Sequence, residues 1–107
     1  MTQSYTVAQR ADVPPGTARE VMAGDQVLAL FNVEGTFHAL DGVCPHAGGP
    51  LGAGALRGSV ITCPWHGWQF DVASGQNCLN PRICHTTFAV RVEGENVVVE
   101  KIGRAHV

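Results

Sequence analysis

Long apolar runs are missing from this 107-residue chain: no stretch approaches the ~20 consecutive apolar residues that cross a bilayer as a helix. The opening Met1-Thr2-Gln3-Ser4 has neither the charged nor the apolar region of a secretory signal, so a reducing cytoplasm is the expected setting. Charge is sparse, at 15% of residues and a net −2 with histidines neutral. The basic side chains Arg10, Arg19, Arg57, Arg82, Arg91, Lys101 and Arg104 are scattered rather than gathered into a stripe. That argues against nucleic acid and against an anionic membrane surface as partners. No internal repeat, low-complexity tract or linker divides the chain, and its length suits one domain with its own core, residues 1–107. Helical periodicity is also absent.

What the chain has in quantity is short strand signal. Tyr5-Thr6-Val7-Ala8 starts a strand that Asp12-Val13-Pro14-Pro15-Gly16 stops. Further strands are expected at Ala18 to Met22, Gln26 to Val33, Thr36 to Leu40, Ser59 to Thr62, Trp68 to Val72, Thr87 to Glu93 and Val97 to Ile102. Turns fall at Gly24-Asp25, Glu34-Gly35, Ser74-Gly75 and Gly94-Glu95-Asn96, and Gly103 to Val107 reads as a frayed tail. Ala47 to Gly58 is too rich in glycine for a stable helix or a regular strand. Gln76 to His85 has only Asn80-Pro81 as a turn signal. Many short strands without a helix predict an all-β fold, an antiparallel barrel or sandwich.

Two stretches carry chemistry: Cys44-Pro45-His46 and Cys63-Pro64-Trp65-His66. Each places a thiol and an imidazole within three positions of one another, with a proline between that stiffens a short loop. The pattern is C-x-H, sixteen residues from Ala47 to Thr62, then C-x-x-H. Two thiolates and two imidazoles make a four-ligand metal site. Structural zinc accepts such a mixed set, although zinc spacings usually pair Cys with Cys and His with His. Buried free thiols with unrelated histidines are a third reading.

The motif resembles the Rieske iron–sulfur fingerprint, and the similarity extends to Gly48-Gly49-Pro50-Leu51-Gly52, Leu56-Arg57-Gly58 and His66-Gly67-Trp68-Gln69-Phe70-Asp71. The small soluble Rieske-type ferredoxins match over nearly the whole chain. The resemblance implies one [2Fe–2S] cluster, with Cys44 and Cys63 on one iron and His46 and His66 on the other. It also implies a small β-barrel base carrying a cluster subdomain inserted as two loops. In that setting the glycines of Ala47 to Gly58 are expected to let backbone N–H groups approach the cluster sulfurs and tune the potential.

The remaining candidates separate from this set. His38 reads as a half-exposed strand residue, and His85 and His106 lie in poorly defined or terminal segments. These three show no 2-His-1-carboxylate spacing, so no mononuclear iron site is expected. Trp65, between two ligands, either packs the loop or shields the cluster and meets a partner. Trp68 and Phe70 are expected to pack beneath it, and Cys78 and Cys84 are expected to be free thiols.

High-potential Rieske proteins carry a further cysteine in each ligand loop, joined as a disulfide, and a serine after the second His-Gly. Gly49, Trp65 and Trp68 stand at those places here, which resembles the low-potential branch. The function implied is a one-electron carrier, not an enzyme. It would pass electrons from a flavin-dependent reductase to a Rieske non-haem iron oxygenase acting on an aromatic or similar substrate. The alternatives are the Rieske-like small subunit of an assimilatory nitrite reductase and a zinc-stabilised interaction module.

Overall fold

The computed structural model describes residues 2–45, 48–65 and 67–102. The candidate ligands His46 and His66, and the terminal segment 103–107 with His106, lie outside the described residues.

The described residues form nine strands: β1 (Thr2–Gln9), β2 (Ala18–Ala23), β3 (Gln26–Val33), β4 (Thr36–Asp41), β5 (Ala55–Arg57), β6 (Val60–Thr62), β7 (Gln69–Asp71), β8 (Thr87–Glu93) and β9 (Asn96–Ile102). Six make one antiparallel sheet in the order β1-β9-β8-β4-β3-β2. The sheet curls until its two edges meet through side chains. The Tyr5 ring covers Gly24, and Lys101 Nζ donates to the Ala23 carbonyl at 3.1 Å while lying 5.3 Å from the centre of the Tyr5 ring. The expected strands are all present. The two-residue turn Glu34-Gly35 joins β3 to β4, with both residues in the left-handed region that such hairpins demand.

β3 explains how two cores share one sheet. Leu28 to Asn32 is an unbroken buried run rather than an alternating one. Successive side chains on a strand point to opposite faces. Leu28 and Leu30 enter the barrel interior with Val13, Val21, Ala39, Val97 and Val99. Ala29 and Phe31 face the other way and join Leu40, Leu51, Ile61, Phe70, Val72 and the two ligand-motif cysteines. β3 and β4 are thus a wall between a barrel core and a second core.

The second core belongs to an excursion between β4 and β8. It leaves after Asp41 and returns at Thr86, and its ends stay joined: Leu40 pairs with Thr87, and the Asp41 N–H donates to the Thr86 carbonyl at 3.0 Å. Within it β5, β6 and β7 form a small antiparallel sheet. The expectation that Ala47 to Gly58 holds no regular strand is corrected by β5. Its three residues are held by pairing, Leu56 opposite Ile61, rather than by propensity. Gln76 to His85 is also ordered. Asn77 bridges Phe70, Gln76 bridges Cys84, and the Cys78 N–H donates to the Gln69 carbonyl at 2.9 Å, so this segment runs beside β7.

Candidate metal centre

The two ligand loops are built alike. The Cys44 N–H donates to the Gly49 carbonyl at 2.8 Å, and the Cys63 N–H donates to the Trp68 carbonyl at 2.8 Å. Each cysteine therefore opens a loop that closes five residues later. Each loop contains a left-handed glycine, Gly48 (φ 76°) in the first and Gly67 (φ 73°) in the second, where a side chain would strain the turn.

β4 delivers the first loop and β6 the second. Asp41 holds the entry to the first: its Oδ1 accepts the Val43 N–H at 3.0 Å, and its carbonyl lies 2.9 Å from His85 Nε2. His85 in turn packs its ring against Phe70, centroid to centroid 5.6 Å. Sequence reasoning passed over this Asp41–His85 pin. The signal available was Asp41-Gly42, an Asx turn whose side chain bonds the backbone two residues on.

Both cysteines are buried, each 1% exposed, and both are free of disulfides. The two thiols share one buried core, and Gly49, whose carbonyl takes the Cys44 N–H, lies against Cys63 Sγ. Burial pushes the Cys63 thiol above its ordinary range, the Trp65 N–H works against that rise, and Cys44 adds to it as bond partner and as neighbouring charge. The Trp65 N–H points at Cys63 Sγ from 3.4 Å. Two buried thiols facing one another are a poor pair of anions on their own. A cation between them reverses that, because a coordinating thiol gives up its proton on binding. Soft thiolates brought from two stiff loops into a dry core fit an iron–sulfur group.

The glycine-rich stretch holds its own turns and packs closely against its neighbours. The N–H groups of Gly48 and Gly54 go to the carbonyls of Cys44 and Leu51, at 2.9 and 3.0 Å. Gly49, Gly52 and Gly54 matter for closeness: a Cβ on any of them would lie under 3.0 Å from a neighbouring loop or strand.

The other candidates fall as the sequence suggests. Phe70 is fully buried in the core with the cysteines, and Trp68 packs against that core with its ring 6.3 Å from Phe70. His38 is half-buried in β4, and Cys78 and Cys84 are exposed and unbridged.

Residues 3–89 match the model of the Rieske [2Fe-2S] domain. The chain belongs to the Rieske [2Fe-2S] domain family. It is 33% identical to the ferredoxin component of the naphthalene 1,2-dioxygenase system of Pseudomonas aeruginosa, over 83% of this chain and 86% of that protein. It is 39% identical to the ferredoxin component of the alkene monooxygenase system of Xanthobacter autotrophicus, over 71% of this chain but only 63% of the relative's length. Among solved structures it is similar to a chain in the complex of reduced oxygenase and oxidized ferredoxin in carbazole 1,9a-dioxygenase. That match has 35% identity and a TM-score of 0.81, covering 90% of this chain and 91% of the other. The Rieske chain is therefore an electron carrier of the ferredoxin type, from a family that binds one [2Fe–2S] cluster, and not a catalyst in its own right. Among the described residues no helix is long and apolar enough to cross a membrane.

Proposed function

We propose that Cys44, His46, Cys63 and His66 hold the cluster, Cys44 and Cys63 on one iron and His46 and His66 on the other. The observation that carries this is the burial of the Cys44 and Cys63 thiols, brought by two loops of one excursion, in a single core. When bound, the cluster supplies a site that accepts and returns one electron. The protein's part is to hold the thiolates dry, to set one N–H on Cys63 Sγ, and to keep the site near the surface. The rest of residues 1–107 serves as its single supporting domain.

The proposed route runs from a flavin-dependent reductase, through this carrier, to a Rieske non-haem iron oxygenase acting on an aromatic or similar substrate in the cytoplasm. The naphthalene, carbazole and alkene systems of the relatives support that reading. Both partners dock in turn at the tip that carries His46, Trp65 and His66. Trp65 is 51% exposed there, and Val43 at the mouth of the first loop is 49% exposed, so the tip offers apolar surface. Leu79, 94% exposed, follows directly on the segment that runs beside β7 toward the same end. A contact of less than ~1,200 Å² suits a transient redox encounter.

The ligand variants test the site. The dithionite-reduced protein should give a Rieske-type EPR signal that His46→Ala and His66→Ala each abolish or transform, and Cys44→Ser should lose the cluster. Full retention of the signal in His46→Ala rules out the assignment.

A further inference from the structure

Gly49 is buried on the first ligand loop, and Trp65 stands half in solvent on the second. A Cβ built on Gly49 would lie 2.9 Å from Cys63 Sγ, 2.9 Å from Trp65 Cγ and 3.0 Å from Trp65 Cβ. Atoms do not pack so closely, and neither Trp65 atom is the free end of a flexible side chain. Gly49 does not adopt the left-handed backbone, so space rather than torsion excludes a side chain there. The root of the indole side chain therefore sits on the bare backbone of the opposite loop. The same residue sends its N–H to Cys63 Sγ.

We propose that Trp65 is a positioning residue: seated on Gly49, it latches the second ligand loop to the first and closes water off from the Cys63 sulfur. This rests on the assignment of Cys63 as a ligand. Where a disulfide would tie two such loops covalently, the pairing of no side chain on one loop with the largest side chain on the other ties them by packing. Burying half of so large a side chain corresponds to a roughly three- to tenfold effect on a rate or equilibrium. The latch also bears on the potential. The reduced site is one charge more negative, and water let in beside it stabilises that form.

The test uses the full, iron-loaded chain. Three quantities are measured for the wild type, Trp65→Ala, Trp65→Phe, Gly49→Ala and the double variant Gly49→Ala/Trp65→Ala. They are the rate of loss of visible absorbance under anaerobic excess EDTA, the midpoint by protein-film voltammetry, and barrel melting by far-UV circular dichroism. Trp65→Ala should lose its cluster about three- to tenfold faster and shift its midpoint upward, with barrel melting unchanged. Trp65→Phe should restore most of both. Gly49→Ala should also speed the loss, and by less when Trp65 is already Ala, because one of its three collisions, the one with Trp65 Cγ, is then gone. Trp65→Ala with wild-type loss rate and midpoint overturns the latch, and so does additivity of the two substitutions. A Trp65→Ala protein whose barrel melts lower in step with its cluster loss overturns it too, since that is general destabilisation. Absence of a Rieske signal from the wild-type protein would instead overturn the ligand assignment.

Discussion

Gly52 lies with its Cα against the backbone of Glu20: a methyl group at Gly52 would stand 2.6 Å from the Glu20 nitrogen and 2.8 Å from its Cα. The 3₁₀ turn Leu51–Ala53, which follows the first ligand loop, is thereby docked straight onto β2 of the barrel. Glu20 belongs to a paired strand, opposite Ala29, so its backbone is held in place by the ladder.

Gly52→Ala should for that reason destabilise the protein. Overpacking of this kind costs about 1–3 kcal/mol. In a domain of this size each kcal/mol lowers Tm by about 4–8 °C. Thermal melts of the loaded protein would show the drop, with loss of visible colour moving to lower temperature alongside it. A melt identical to wild type would mean that the turn floats free of β2.

The potential should be low for a Rieske site. Neutral imidazoles in place of two thiolates raise it above a four-cysteine cluster. Against that, Gly49, Trp65 and Trp68 replace the disulfide and the serine donor of the high-potential branch. A midpoint on the order of −150 mV is expected by protein-film voltammetry. A clearly positive value would place the chain outside the low-potential branch.

The Gly49–Trp65 geometry also predicts a cross-link. Their Cβ positions lie 3.0 Å apart, and bridged cysteines sit at roughly 3.5–4.5 Å. The loops need part by only about half an ångström. Gly49→Cys combined with Trp65→Cys, treated with oxidised glutathione as the acceptor of the two electrons and two protons, should lose two hydrogens by intact mass. A tryptic peptide should then join the two loops, and EDTA should strip the cluster more slowly than from the reduced double variant. Recovery of two free thiols after that treatment would place the loops farther apart than described.

Cys78 and Cys84 should be dispensable. Both are exposed, and neither belongs to the core that holds Cys44 and Cys63. The double serine variant should bind iron in wild-type amount by iron assay and keep its visible spectrum. In the apo protein, iodoacetamide should reach these two thiols well before the buried pair.

The hairpins and the paired ligand loops were legible because their signals are local. Gly24-Asp25, Glu34-Gly35 and Gly94-Glu95 sit between strand-forming runs, and each Cys-Pro opens its own loop. β5 was not legible, since Ala55-Leu56-Arg57 forms a strand only when Ile61 and its neighbours come to meet it. Gln76 to His85 stayed opaque for a similar reason. Its order comes from backbone bonds to β7 and within the segment, joined by side chains: Asn77 Oδ1 accepts the N–H groups of Leu79 and Asn80, and Asn80 Oδ1 accepts that of Arg82. The glycines of the first loop were legible as glycines, but whether each serves a turn or a close approach depends on what lies opposite in space. His85 shows the same limit, because its partner at Asp41 is set by the fold and not by spacing.

The excursion from Asp41 to Thr86 leaves and returns side by side, like the two ends of a hairpin turn. Any antiparallel hairpin in an unrelated β-protein offers the same pair of ends, so the whole redox unit is in principle a graft. Its underside sets the condition on the host. The scaffold must present an outward apolar patch such as Ala29, Phe31 and Leu40 make here, and a strand close enough to meet a bare glycine backbone as Glu20 meets Gly52. The reverse operation is equally defined. Cutting 42–86 down to a two-residue turn would leave β4 and β8 as an ordinary hairpin in a six-stranded barrel, with one outer face newly wet and in need of polar side chains at 29, 31 and 40.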